Sequence, residues 1–128
     1  MVAWTEYKQT AKERGALALE LFVVESTPAK GPEAVKENLP AHLAYQRSLE
    51  EQGILVMAGP VSDPTGEEMF GGGLIIYRAS SMDEATKLTS ADPMHQSGAR
   101  SFTLRKWLVN EGSISLNVGL STGRAILS

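Results

Sequence analysis

The stretch "PAHLAYQRSLEEQGILVMAGPV", residues 40–61, changes its period halfway along. From Pro40 to Gln52 the composition is helix-forming, and at about 100° per residue His42, Tyr45, Gln46 and Leu49 share one face. Pro40 suits the first helical position, where its missing N–H costs nothing, and Gly53 is placed to end the helix. "ILVMAGPV" then reads as a short, almost wholly apolar strand closed by Gly59-Pro60. One residue does not fit the pattern. His42 stands on the inward stripe, where its neighbours ask for a core side chain.

On the N-terminal side, "ALALELFVVES" places Leu17, Leu19, Leu21 and Val23 on one side and Phe22 and Val24 on the other, the pattern of a central strand. Between it and the helix, "TPAKGPEA" supplies turn chemistry, with room for a single helical turn through Val35. Further toward the N-terminus, Thr5–Arg14 predicts a helix that shares Trp4, Tyr7 and Ala11 on one face and stops at Gly15. On the C-terminal side, "SDPTGEEMFGG" reads as a polar loop and "LIIYRA" as a third strand. Ser81 and Glu84 form a Ser-x-x-Glu capping signature for the helix "MDEATKLTSA", which Asp92-Pro93 ends. "SFTLRKWLV" is a fourth strand. In the tail, "SISLNVGLS" alternates like a half-buried strand through Ile114, Leu116, Val118 and Leu120, a segment that could cross to a neighbouring subunit, and "TGRAILS" has no assigned place.

The order strand, helix, strand, strand, helix, strand matches an α+β, ferredoxin-like split βαβ plan, with an antiparallel sheet and two helices on one face. The other face, with Leu17, Leu19 and Leu21, then needs a cover, and a homodimer stacking two sheets is the economical solution. The expected organisation is one domain over residues 1–128, with an N-terminal helical extension to residue 15 and a C-terminal extension from residue 112.

Composition narrows the function. The chain has 128 residues, a formal net charge of -3 and no cysteine. The cations are scattered rather than gathered in a stripe, which argues against nucleic acid as a partner. Without cysteine there is no disulfide, thiolate nucleophile or thiolate metal site. The charged start "MVAWTEYKQTAKERG" is unlike a signal peptide, and no apolar run approaches the roughly 20 residues of a membrane span, so the expectation is a cytoplasmic protein with no membrane partner.

The topology brings the start of the residue-40 helix close to "ADPMHQSG", where Asp92 sits. His42 in "PAHLAYQRSLEEQG", the strand "ILVMAGPV", the glycines before "LIIYRA", the capped second helix and "ADPM" together resemble the YCII (YciI-like) family over roughly residues 19–107. The resemblance implies a ferredoxin-like α+β fold, a dimer with facing sheets and a pocket holding a His-Asp pair, here His42 and Asp92. The chain departs from the family pattern at Met94, where an aromatic residue is usual, at the neighbouring His95, and in its two extensions. One branch of the family is similar to dehydrochlorinases acting on chlorinated hydroxyhydroquinones in bacterial aromatic degradation.

The chemistry of such a pair stands on its own. A carboxylate that accepts from one imidazole nitrogen fixes the tautomer and leaves the other nitrogen free to take a proton near neutral pH. With no nucleophile beside it, proton abstraction followed by isomerisation or elimination fits better than acyl transfer, and no cofactor is required. HCl elimination from a small chlorinated polyphenol is the sharpest form of this reading. The candidate catalytic residues are His42 and Asp92, and the candidate substrate-binding residues are Tyr45, Tyr77, Met94 and His95.

Several other readings compete with it. His42, Asp92 and His95 could form a two-histidine, one-carboxylate metal site, although no recognised ligand spacing is present and no metal is expected. Arg78, Arg100 and Arg105 are candidates for holding an anionic oxygen but read first as solvated charges. Gly71-Gly72-Gly73 precedes a strand, not a helix, and so is a loop or strand entry rather than a phosphate cradle. Non-catalytic alternatives are a small-molecule binding dimer and a structural module in which His42 and Asp92 satisfy each other in the core.

Overall fold

The computed structural model describes all 128 residues, which form two compact units, residues 20–107 and the termini 1–19 with 108–128. The larger unit is built on a four-stranded antiparallel sheet of β1 (Leu19–Pro28), β2 (Leu55–Ser62), β3 (Met69–Tyr77) and β4 (Arg100–Val109), in the order β2-β3-β1-β4. β1 and β3 pair antiparallel with Phe22 opposite Tyr77 and Val24 opposite Ile75. That register puts four large apolar side chains on one face. Leu49 from α2 (Pro32–Glu51) and Ala85 from α3 (Met82–Ala91) join them in the core, with Tyr45, Leu88, Phe102 and Leu104 packed against it. The α+β, ferredoxin-like plan is therefore present, with both helices on one face of the sheet.

Four details differ from the sequence expectations. First, α2 begins at Pro32, so Pro40 lies inside the helix instead of opening it. Pro32 fills the N-terminal position that suits a residue without an N–H, and one long helix packed on the sheet absorbs the hydrogen bond lost at Pro40. Second, β2 and β3 extend into the expected loop, which shrinks to residues 63–68, and the three glycines lie within β3. Gly73 is bracketed by Ser26 of β1 and Pro60 of β2, and a Cβ there would meet the Gly59 carbonyl oxygen at 3.2 Å. A side chain at that crossing would crowd the facing backbone, which would have to give by a few tenths of an ångström. Third, "PMHQ" forms a short helix, α4 (Pro93–Gln96). Fourth, the second sheet face is not uniformly bare: Leu19 is exposed, whereas Leu21 and Ile76 are buried.

The predicted cap is in place. The Ser81 hydroxyl accepts from the Glu84 N–H at 3.1 Å, and the Glu84 carboxylate returns the contact to the Ser80 N–H at 3.1 Å.

In the smaller unit, α1 (Trp4–Glu13) buries Ala11 and ends where the Gly15 N–H donates to the Lys12 carbonyl. The tail forms its own ribbon, β5 (Leu116–Val118) paired antiparallel with β6 (Ala125–Leu127). "TGRAILS" thus supplies the partner strand. Within the single chain the alternating residues of the tail, Ile114, Leu116, Val118 and Leu120, are exposed. A two-stranded ribbon has no second layer to cover its apolar row.

Phe22 lies at the centre of the larger unit with no exposed surface. Phe22→Ala should cost about 3–5 kcal/mol of stability, read as a lowered urea midpoint at unchanged slope.

Candidate active site

α2 presents a stripe of Val35, Leu39, His42, Leu43, Gln46 and Glu50 toward β2 and β3, at spacings that follow the helical period. Between this stripe and the strands lies an open, largely apolar cavity of about 1070 Å³. Gly71, Gly72 and Gly73 line it as bare backbone, so no side chains rise from that part of β3 into the space. Ser26, Met94 and Arg100 also belong to its wall.

The polar centre is Asp92, which has no exposed surface. Proline at residue 93 holds Asp92 extended, at φ -60° and ψ 126°, and the side chain caps α4 by accepting the Met94 N–H at 2.9 Å. His42 Nδ1 is 2.8 Å from both carboxylate oxygens, and Gln46 Nε2 donates to Oδ2 at 3.0 Å. Burial pushes the Asp92 carboxyl up, but the donors from His42, Met94 and Gln46 outweigh it and hold the group below its ordinary value. The carboxylate is ionised and fully engaged.

An ionised carboxylate only accepts, so His42 Nδ1 must carry the proton. In the neutral ring Nε2 is then a free lone pair. No protein group bonds to Nε2, and the His42 side chain, 21% exposed, stands on the cavity wall.

The other sequence-selected residues fall in different places. Met94 is on the cavity wall and almost fully buried. Tyr45 donates its hydroxyl to the Leu88 carbonyl at 2.6 Å, and burial followed by the Asp92 charge raises its phenol above the ordinary value. Tyr77 is wholly buried, with its oxygen accepting from Gln46 Nε2 at 3.0 Å; burial pushes its phenol well up. Neither tyrosine is on the cavity wall. His95 lies behind the wall. Its Nδ1–H donates to the Thr89 carbonyl at 2.8 Å, and its Nε2 lies 2.8 Å from the Ser26 hydroxyl. Both ring nitrogens are thus engaged, and no cluster of three His, Cys, Asp or Glu side chains suited to a metal ion forms.

Of the three arginines read as surface charges, Arg78 donates to the Gly53 carbonyl at 3.1 Å and Arg105 pairs with Glu25, both exposed. Arg100 is a correction, because it lines the cavity. Sequence reasoning also passed over two residues. Gln46 follows His42 by one turn, so a shared face was readable but its bridge from Asp92 to Tyr77 was not. Ser26 continues the inward row of Phe22 and Val24, and a buried hydroxyl at that position was the available signal.

Fold and site together define a small α+β domain with a carboxylate-bound imidazole on the wall of an apolar cavity. The chain belongs to the YCII-related domain family, whose model matches residues 4–108. It is 32% identical over 72 residues to the uncharacterized protein YjpA of Bacillus subtilis (strain 168), an alignment spanning 56% of this chain and 78% of YjpA. Among solved structures it resembles the 5-chloro-2-hydroxyhydroquinone dehydrochlorinase TftG of Burkholderia phenoliruptrix AC1100 in complex with 2,5-dihydroxybenzoquinone. That match has a TM-score of 0.57 and 26% identity, and covers 68% of this chain and 92% of TftG. No helix is long and apolar enough to cross a membrane.

Two outcomes follow from the hydrogen-bond network. Gln46→Leu leaves Asp92 Oδ2 and the Tyr77 oxygen without their shared donor and should cost about 1–3 kcal/mol in urea unfolding. The second concerns acid. His95 is held below its ordinary value of 6.5, first by burial, and Asp92 below 3.8, so both bind protons more readily in the unfolded chain. Their stability contribution is complete above those ordinary values and is lost as pH falls through the depressed folded ones. Unfolding free energy should therefore decline as pH drops below about 6.5, and His95→Gln should flatten the upper part of that decline while leaving the part near pH 4.

Proposed function

We propose that this chain is a cofactor-independent enzyme in which His42 is the general base and Asp92 its orienting carboxylate, with dehydrochlorination of a chlorinated hydroxyhydroquinone as the reaction. The observation that carries this reading is the pairing of His42 Nδ1 with buried Asp92 at 2.8 Å while His42 itself lines the cavity. The resemblance to TftG supplies the substrate class.

The steps need only this chain and water. His42 Nε2 accepts a phenolic proton, and Asp92 stabilises the imidazolium that forms. The electron density released into the ring takes up a proton at the chlorine-bearing carbon, which becomes tetrahedral. Chloride then leaves with the C–Cl bonding pair as a second hydroxyl loses its proton and becomes a carbonyl. The products are a hydroxybenzoquinone and HCl. Carbon–chlorine cleavage balances formation of the quinone, so no external oxidant enters.

In this scheme Met94 and the apolar wall hold the ring, while Tyr45, Tyr77 and His95 support the site from behind. Gln46 fixes Asp92. The large apolar surface suits a planar ring, and exclusion of water from a bound substrate would strengthen the charge interactions around His42.

The test is chloride release from 5-chloro-2-hydroxyhydroquinone under anaerobic, reducing conditions, with spontaneous oxidation subtracted. His42→Ala and Asp92→Asn should each lower the rate at least about 100-fold, with the folded state retained by circular dichroism. Equal rates for the wild type, both variants and buffer would refute dehydrochlorination.

A further inference from the structure

We infer that Arg100 is a preorganised anchor for an anionic oxygen, so that the cavity favours an acidic, oxygenated ring in the state where one ring oxygen carries negative charge. This rests on the reading of the cavity as a site for a small oxygenated ring and deepens it by naming the charge state of the ligand and the residue that recognises it.

Arg100 carries five N–H donors in a planar fork. Its Nε–H donates to the Ser26 hydroxyl oxygen at 2.9 Å, and Nη2 donates to the Ser26 carbonyl at 2.8 Å and to the Gly71 carbonyl. The two N–H groups of Nη1 have no protein partner. Nor does any carboxylate pair with the guanidinium. Asp92 lies close enough for its charge to be felt there, but its oxygens are taken by His42, Gln46 and the Met94 N–H. A partly buried cation on a largely apolar wall, without a contacting counter-ion, gains most when an anion supplies one.

The fork is held from behind. Ser26 is only 3% exposed, and its hydroxyl oxygen accepts from Arg100 while its own proton points to His95 Nε2. That assignment follows from His95 itself, whose Nδ1–H is committed to the Thr89 carbonyl, leaving Nε2 as acceptor in the neutral ring. Burial, foremost, keeps His95 neutral by lowering its proton affinity. Thr89, His95, Ser26 and Arg100 therefore form one directed chain of hydrogen bonds ending in the cavity. His95 and Ser26 are positioning residues in this arrangement, and Arg100 is the group that meets the ligand. With His42 Nε2 on the same wall, the cavity offers a proton acceptor for one ring oxygen and a charged fork for another.

The experiment compares two ring probes by calorimetry on the full chain near neutral pH: 2,5-dihydroxybenzoquinone, which is ionised, and hydroquinone, which is not. Wild type should bind the anion at least about tenfold more tightly, the scale of one charge-assisted pair. Arg100→Met should bring the two affinities to near parity, and Ser26→Ala should reduce the preference part-way. If Arg100→Met does not fold, Arg100→Lys serves instead; it keeps the charge but loses the fork, and the preference should fall several-fold. Absence of a preference in wild type, no binding of the anion at millimolar concentration, or an unchanged preference in the folded Arg100 variant would each overturn the assignment. The two readings fail separately. A preference lost on Arg100 substitution without any chloride release keeps the anion anchor and removes the dehydrochlorinase, whereas chloride release with an Arg100-independent preference does the reverse.

Discussion

The site depends on one buried carboxylate. Asp92 is fully removed from solvent, a placement that is costly for a charge unless donors surround it. Those donors come from three parts of the chain: the Met94 backbone within its own turn, and His42 and Gln46 one turn apart on α2. Satisfying the charge therefore ties α2 to the α3–α4 junction. The same requirement fixes the imidazole tautomer, because a carboxylate that only accepts forces the His42 proton onto Nδ1. A structural need and a chemical asset arise from a single contact.

A second polar chain supports the opposite kind of charge. His95, which differs from Asp92's partner His42 in having both nitrogens engaged, holds Ser26, and Ser26 holds Arg100. The two histidines thus share a tautomer but not a role. One presents a lone pair to the cavity. The other spends it inside the protein. Between them, the glycines of β3 leave open floor, and α2 supplies the apolar wall. The resulting space has its polar groups concentrated on an apolar lining, the arrangement expected of a site that orients a small ring.

Much of this was legible in the residues. Element order, the Ser81 cap, the break at Asp92-Pro93 and the inward stripe on α2 are local signals, carried by propensity, capping and period, and each survives in the structure. Pro40 shows the limit of local rules: its preference for a first turn yielded to the packing of one continuous helix on the sheet. The glycine run reads as a loop or strand entry in isolation, and pairing of Gly73 with Ser26 and Pro60 on its two sides places it within β3. The tail alternation read as half-buried, yet burial depends on a second layer that a two-stranded ribbon does not provide.

By itself the sequence determined the α+β class and the motifs that carry the family resemblance, since these rest on short-range patterns; His42 and Asp92, 50 residues apart, were singled out as a pair by what that resemblance implies. Which groups face the cavity was decided only in three dimensions. Tyr45 and Tyr77 turn their hydroxyls to Leu88 and Gln46, and His95 turns to Thr89 and Ser26, while Arg100 enters the cavity wall. Side-chain partners such as Ser26 and Arg100 are 74 residues apart along the chain, and no periodicity links them. Their meeting is set by strand order and register, which place β1 beside β4 and bring the residue to its partner.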